Sequence, residues 1–176
     1  MLDCVVLGDS IAVGVGQARP DCQTFAVSGI SSDHYVQIFP GAPQARTAII
    51  SLGVNDSESV ATADNLARLR GRVVADTVYW LVSGTNPHIR DAVHAIAARF
   101  GDRLIDVVPL AGADHIHPDR TGYARLAAET GGTDDGTSAP ASAYQDSPQQ
   151  QPVYQAIPGL KVWNGPDNLN GVPVKQ

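Results

Sequence analysis

Short apolar runs that end in Gly, Ser or a polar loop alternate with helix-period segments over residues 1–130, and few architectures accept that rhythm. Val5-Val6-Leu7 ends in Gly8-Asp9-Ser10, and Thr24-Phe25-Ala26-Val27 ends in Ser28-Gly29. Thr47 to Leu52 ends in Gly53-Val54-Asn55-Asp56, Thr77 to Val82 ends in Ser83-Gly84, and Arg103 to Val107 forms a further run. Apolar runs bounded by turn residues suit the central strands of a parallel sheet, which are buried on both faces. Between them, residues 59–72 bring Val60, Ala63, Leu66, Ala67, Leu69 and the following Val73 near one helical face. Residues 89–100 carry Ile89, Val93, Ile96, Ala97 and Phe100 at helical spacing, with Gly101 as a C-cap. Residues 120–130 carry Tyr123, Leu126 and Ala127. Strand, helix and strand in repetition imply βαβ units and a three-layer α/β/α sandwich.

The pattern stops near residue 130. From Gly131 to Gln176 the chain is rich in Gly, Pro, Ser, Asp and Gln, including Ser147-Pro148-Gln149-Gln150-Gln151-Pro152. The expected organisation is one domain over 1–130 and a tail or linker over 131–176, docked or disordered. Tyr154, Ile157, Leu160, Val162 and Trp163 would be the residues that dock it as a strap or meet a partner.

Charge narrows the function classes. A net charge of −6 with only 12 Lys and Arg leaves little to neutralise phosphates, so nucleic acid and anionic membranes are not expected partners. No stretch reaches the roughly 20 apolar residues of a membrane span. Met1-Leu2-Asp3-Cys4 runs into the first strand without a basic region, so the expectation is a cytoplasmic protein, or an exported one whose leader has been trimmed. Cys4 and Cys22 read as two reduced, buried thiols. The other reading is a disulfide joining the starts of two neighbouring strands, which would suit export. Without a CxxC pair, a structural zinc site is not expected.

The strand ends carry the chemistry, because open α/β sheets hold ligands outside the carboxyl ends of their strands. Ser10 follows the first strand at once, where it would be a helix N-cap or an exposed nucleophile. Asp114 and His117 share the loop before the last helix, three residues apart. A histidine that deprotonates a serine needs a carboxylate to fix its tautomer, and such a pair supplies one. Asn55 and the Gly29 amide are candidate donors to an oxyanion. His34, His115 and His117 are the residues a metal site would need, yet no Cys or Glu cluster completes one. Asp9 and Asp56 read more simply as turn residues bonded to local amides than as a glycosidase pair. Trp80 is expected in the core, and His88 and His94 on a helix surface.

Taken together, Gly8-Asp9-Ser10 with Gly14, then Gly29, then Gly53-x-Asn55-Asp56, then Asp114-x-x-His117 resemble the four blocks of the SGNH hydrolase (GDSL esterase/lipase) superfamily. The resemblance spans about residues 3–130. It implies a flavodoxin-like central parallel five-stranded sheet of order 2-1-3-4-5. It also implies Ser10 as nucleophile and His117 as base oriented by Asp114. The oxyanion hole would comprise the Ser10 and Gly29 amides and the Asn55 side chain, with no cofactor and no metal. The G-x-S-x-G signature of α/β-hydrolases is absent.

A serine esterase acting on carboxylic esters is therefore expected. The segments between blocks are short and leave no room for a lid, which suits small acyl groups such as acetyl on a carbohydrate or a similar small ester. The alternatives are a lysophospholipase or thioesterase of the same superfamily, which would want a long apolar groove, and a non-catalytic binding module that keeps the fold. A base histidine must be neutral, so activity is expected to fall below about pH 6.5.

Overall fold

β1 (Leu2–Gly8) lies inside a five-stranded sheet, with β2 (Gln23–Ala26) on one side and β3 (Ala45–Ser51) on the other. β4 (Ala75–Val82) and β5 (Arg103–Asp106) extend it, giving the order β2-β1-β3-β4-β5 with every pairing parallel. Helices α1 (Ser10–Ala18), α2 (Ser32–Ile38), α3 (Thr62–Arg70), α4 (Pro87–Phe100) and α5 (Arg120–Glu129) cover its faces. The computed structural model describes residues 1–131 apart from Pro40, Ala42 and Pro43. The tail expected over 131–176 lies, beyond Gly131, outside the described residues.

The layers follow from the two-residue period of a strand. Val5 and Leu7 of β1 pack with Tyr35 and Val36 of α2, Leu66 and Leu69 of α3, and Val93 and Ile96 of α4. Cys4 and Val6 point the other way, onto Ile11 and Val15 of α1 and Leu126 of α5. Three helices thus cover one face and two the other. Each fully buried Leu, Ile or Val contributes roughly 1.5–3 kcal/mol of transfer free energy, so the double-faced burial of β1 anchors both cores. Trp80 is fully buried in the first, and its indole N–H donates to Asp102 at 3.0 Å. Asp102 also accepts two bonds from Arg70, at 2.7 and 2.9 Å.

Several sequence expectations need adjustment. Helices α1 and α2 were not marked by periodicity. The first, SIAVGVGQA, has apolar or small residues all round, and the second has 7 residues, too few to show a stripe. α3 begins at Thr62 rather than near residue 59, leaving Val60 outside it, and Ala63 faces solvent. Phe100 ends α4 at 39% exposure and lies under the Arg70 and Arg99 guanidinium groups instead of joining the core. His88 and His94 are exposed on α4. Among the described residues, no helix is long and apolar enough to cross a membrane.

The reading of Cys4 and Cys22 as reduced thiols is corrected: the two are joined in a disulfide. Val5 pairs with Gln23 across the β1–β2 ladder, which brings the preceding residues, Cys4 and Cys22, into register side by side. The bond ties the 4-residue edge strand β2 to the strand beside it. Closing a loop of 18 residues removes denatured-chain entropy worth about 3 kcal/mol. Replacing both cysteines with Ala should therefore lower the unfolding free energy in urea by about 2–4 kcal/mol; an unchanged midpoint would show that the bridge adds nothing to stability.

Candidate active site

The sheet order reverses at β1, the kind of position where open α/β sheets bind ligands. The chain leaves β1 towards β2 on one side and later returns to β3 on the other, so the loops after these strands diverge from neighbouring strand ends. Ser10 follows β1, Gly29 follows β2, and Asn55 follows β3.

The turn after β1 is pressed directly onto β3. Gly8 has φ +131°, and a Cβ there would sit 1.7 Å from the Ser51 carbonyl oxygen, so only glycine fits. The Asp9 amide donates to that same carbonyl at 2.9 Å. The Asp9 carboxylate then caps α1, accepting from the Ile11 amide at 3.0 Å, and also accepts from the Ser51 hydroxyl at 2.9 Å. The cap is thus Asp9, not Ser10. Ser10 becomes the first helical residue, its amide among those a helix leaves without intrahelical partners and its hydroxyl free of capping.

That hydroxyl is hydrogen-bonded to His117 Nε2 at 2.8 Å, although 107 positions separate the two residues. His117 Nδ1 lies 2.6 Å from Asp114 Oδ2. With Nδ1–H donating to the carboxylate, Nε2 is left to accept from Ser10. The loop is self-bonded: Asp114 Oδ1 accepts from the Ile116 and His117 amides at 3.0 and 2.9 Å, and the Gly112 amide donates to the His117 carbonyl at 2.7 Å. His115 takes φ 61°, unusual for a residue with a side chain, to close the turn. The Asp114 carboxyl is held well below the usual range, first by its bond to His117 and then by these two amides.

Packing of α5 on α1 delivers this loop to Ser10. A Cβ on Gly14 would lie 2.2 Å from the Tyr123 ring, so Gly14 is the gap that admits Tyr123. Buried Arg19, just past α1, donates to the Thr130 carbonyl and hydroxyl at 2.9 and 3.0 Å and fastens the far ends of the two helices.

Of the expected oxyanion donors, Gly29 and Asn55 lie exposed on adjacent loops. The Asn55 side-chain amide donates one bond to the Ile30 carbonyl at 3.1 Å, joining the loop after β3 to the loop after β2. Asp56 is not a turn residue bonded to a local amide. It accepts from the Ser32 amide and hydroxyl at 2.6 and 2.5 Å and from the Thr62 hydroxyl at 2.7 Å, bracing α2 against α3. Asp9 does bond a local amide, that of Ile11. Among the described residues no group of three His, Cys, Asp or Glu side chains is placed to hold a metal.

Two residues that the sequence reading passed over support the site. Ser51 closes an apolar run, and Ser32 opens α2; both are fully buried. A lone hydroxyl at the end of Ile49-Ile50 was the available signal, since a buried hydroxyl needs a partner.

No protein-family model and no curated protein matches this chain. Among solved structures, it is similar to a GDSL-like lipase from Bacteroides thetaiotaomicron VPI-5482, at 17% identity and TM-score 0.54, over 72% of this chain and 84% of that one. It is also similar to the inhibitor-bound form of an aryl esterase from M. smegmatis, at 13% identity and TM-score 0.52, over 73% of this chain and 98% of that one. The chain has the SGNH hydrolase fold. In the SGNH frame, the blocks that carry Ser10, Gly29, Asn55 and His117 occupy the loops at the carboxyl ends of the strands and the loop before α5.

Buried Asp9 gives the site a measurable pH signature. Burial pushes its carboxyl up from 3.8 to about 6, against the opposing pull of the Ser51 hydroxyl, the Ile11 and Ala12 amides and the His117 charge. A carboxyl raised on folding contributes stability that is full below about pH 4 and lost as pH rises through about 6. The loss approaches about 3 kcal/mol, two units at about 1.4 kcal/mol each. Asp9→Asn should remove this component, so the stability difference between wild type and variant, measured by urea unfolding, should shift against the wild type from pH 4 to 7.5. A pH-independent difference would mean that Asp9 does not titrate there.

Proposed function

We propose that the protein is a serine esterase of the SGNH type that hydrolyses carboxylic esters, with Ser10 as nucleophile, His117 as general base and Asp114 as its orienting carboxylate. The observation that carries this reading is the continuous hydrogen-bond path from the Ser10 hydroxyl through both His117 nitrogens to Asp114, at 2.8 and 2.6 Å. These are the distances proton transfer from a nucleophile requires.

The steps follow from that geometry. Ser10 Oγ attacks the ester carbonyl carbon while its proton passes to His117 Nε2. Asp114 keeps Nδ1–H in place and stabilises the imidazolium. The Ser10 and Gly29 amides and the Asn55 side chain would receive the oxyanion, using the second Asn55 N–H, since the first is committed to Ile30. Collapse of the tetrahedral intermediate expels the alcohol, which takes the proton from Nε2. A water then repeats the cycle on the acyl-enzyme, releasing the acid and restoring Ser10.

The rim favours small substrates. Gly29, Asn55, Asp114 and His115 are exposed beside the apolar Ile116, and the loops that bear them are short, so the substrate would meet an open, mostly polar margin. Acetyl or a similarly short acyl group on a carbohydrate or small alcohol fits such a margin better than a long acyl chain. The disulfide supports an oxidising compartment, and thus the exported reading over the cytoplasmic one.

Ser10→Ala should abolish hydrolysis of p-nitrophenyl acetate and covalent labelling by a fluorophosphonate; turnover that persists in the variant would remove Ser10 from the mechanism. Asn55→Ala should lower kcat by about 10²–10³, the usual effect of losing one oxyanion donor, with the far-ultraviolet circular dichroism unchanged. In a series of p-nitrophenyl esters from acetate to palmitate, kcat/KM should fall with chain length, and a rise towards palmitate would reject the short-acyl assignment.

A further inference from the structure

Asp9 is placed oddly for a residue whose task is only to cap a helix. It is fully buried. One oxygen, Oδ1, accepts both the Ile11 amide and the Ser51 hydroxyl, while Oδ2 has no hydrogen-bond partner among the described residues. A neutral Asn or Ser caps a helix about as well as Asp, and a half-partnered buried carboxylate opposes folding. Its charge is therefore unexplained by stability, and it adjoins Ser10.

We propose that Asp9 is a positioning residue for the ester hydrolysis: its carboxylate locks the turn that aims Ser10 and supplies a poorly screened negative charge towards the His117 imidazole. This rests on the assignment of Ser10 as nucleophile. Two observations carry it. The Asp9 carboxylate binds the turn to α1 through Ile11 and to β3 through Ser51, so both sides of Ser10 are held by one group. Asp9 directly precedes Ser10, whose hydroxyl meets His117 Nε2 at 2.8 Å; the carboxylate bonded to the imidazole, Asp114, is 53% exposed at its side chain and screened by water, whereas Asp9 at 0% lies in a low-dielectric interior where its field acts further. The proton that reaches Nε2 during attack makes an imidazolium, and a buried anion lowers the free energy of that charge.

The surroundings of Asp9 isolate the effect. His117 and Tyr35 are the ionisable groups that interact with it from the loop before α5 and from α2. Tyr35 stays neutral, pushed far up by burial, and donates to the Phe25 carbonyl at 2.6 Å. α1 and β2 contain no ionisable side chain, and β1 and β3 offer only Asp3 and Arg46 near their far ends, 3.6 Å from each other. With its carboxyl raised to about 6 by burial, Asp9 takes up a proton in the same range as an ordinary histidine. The rate then depends on the Asp9 carboxylate as well as on the His117 base, and activity falls more steeply with acid than one base would make it.

The test is kcat/KM for p-nitrophenyl acetate from pH 4.5 to 8.5, followed at the isosbestic wavelength of p-nitrophenol. Wild type, Asp9→Asn, Asp9→Ala and Ser51→Ala are compared, with circular dichroism recorded at each pH. The plot of log kcat/KM against pH should have an acid limb steeper than one in the wild type and equal to one in Asp9→Asn, which keeps the shape and loses the charge. Asp9→Asn should be roughly tenfold slower than wild type at pH 8, and Asp9→Ala roughly 30-fold, as expected for two lost hydrogen bonds. Ser51→Ala retains the carboxylate, so it should be about fivefold slower with the steep limb preserved. A folded Asp9→Asn with the wild-type rate and limb overturns the proposal and leaves the esterase assignment standing. A wild type that neither turns over the ester nor labels with fluorophosphonate overturns both.

Discussion

The contact of the Gly8-Asp9 turn with the end of β3 is the joint on which the site depends. It is a backbone contact before it is anything else: a glycine with no Cβ lying against the Ser51 carbonyl, and an amide donating to that carbonyl at 2.9 Å. Because β1 is buried on both faces, this joint is rooted in both cores at once. Everything reactive is then referenced to a rigid origin. Ser10 starts α1 at a fixed height above the sheet, and the loops after β2 and β3 flank it from the neighbouring strands.

The other half of the site comes from far along the chain and is placed by helix packing. The Gly14 notch accepts Tyr123, Arg19 ties the distal helix ends, and the loop before α5 arrives opposite Ser10 as a result. The geometry is therefore a compromise between two origins, sheet and helix pair. The network around Asp56 performs the same service for the loops after β2 and β3, holding α2 and α3 in relation through Ser32 and Thr62.

Much of this is legible in the sequence where a local rule dominates. The inner strands β1, β3 and β4 are buried on both faces over much of their length and read as apolar runs; the edge strands β2 and β5 are more exposed but still short runs bounded by turn residues, so all five are legible within a few residues. Asp114 and His117 are close in sequence, so spacing allows their pairing in one turn, and the four blocks taken together favour it over a plain polar loop. What was hidden depended on partners distant in sequence. α1 has no stripe because both the sheet and α5 bury it. The roles of Asp56 and Ser51 are invisible without knowing that α2 and the β1 turn come to meet them. The choice between the two readings of Cys4 and Cys22 is decided by the β1–β2 register, since composition favours two quiet thiols and offers the disulfide only second.

The loop over 112–118 has a consequence for how the site can move. Its bonds close on themselves: Gly112 to His117, His115 to Gly112, and Asp114 to the amides of 116 and 117. Imidazole and carboxylate therefore form one rigid cartridge joined to the nucleophile by a single hydrogen bond. Imidazole and carboxylate are thus positioned together, so any displacement of the loop as a unit would lengthen the bond to Ser10 and leave the Asp114–His117 pair, and with it the tautomer, unchanged.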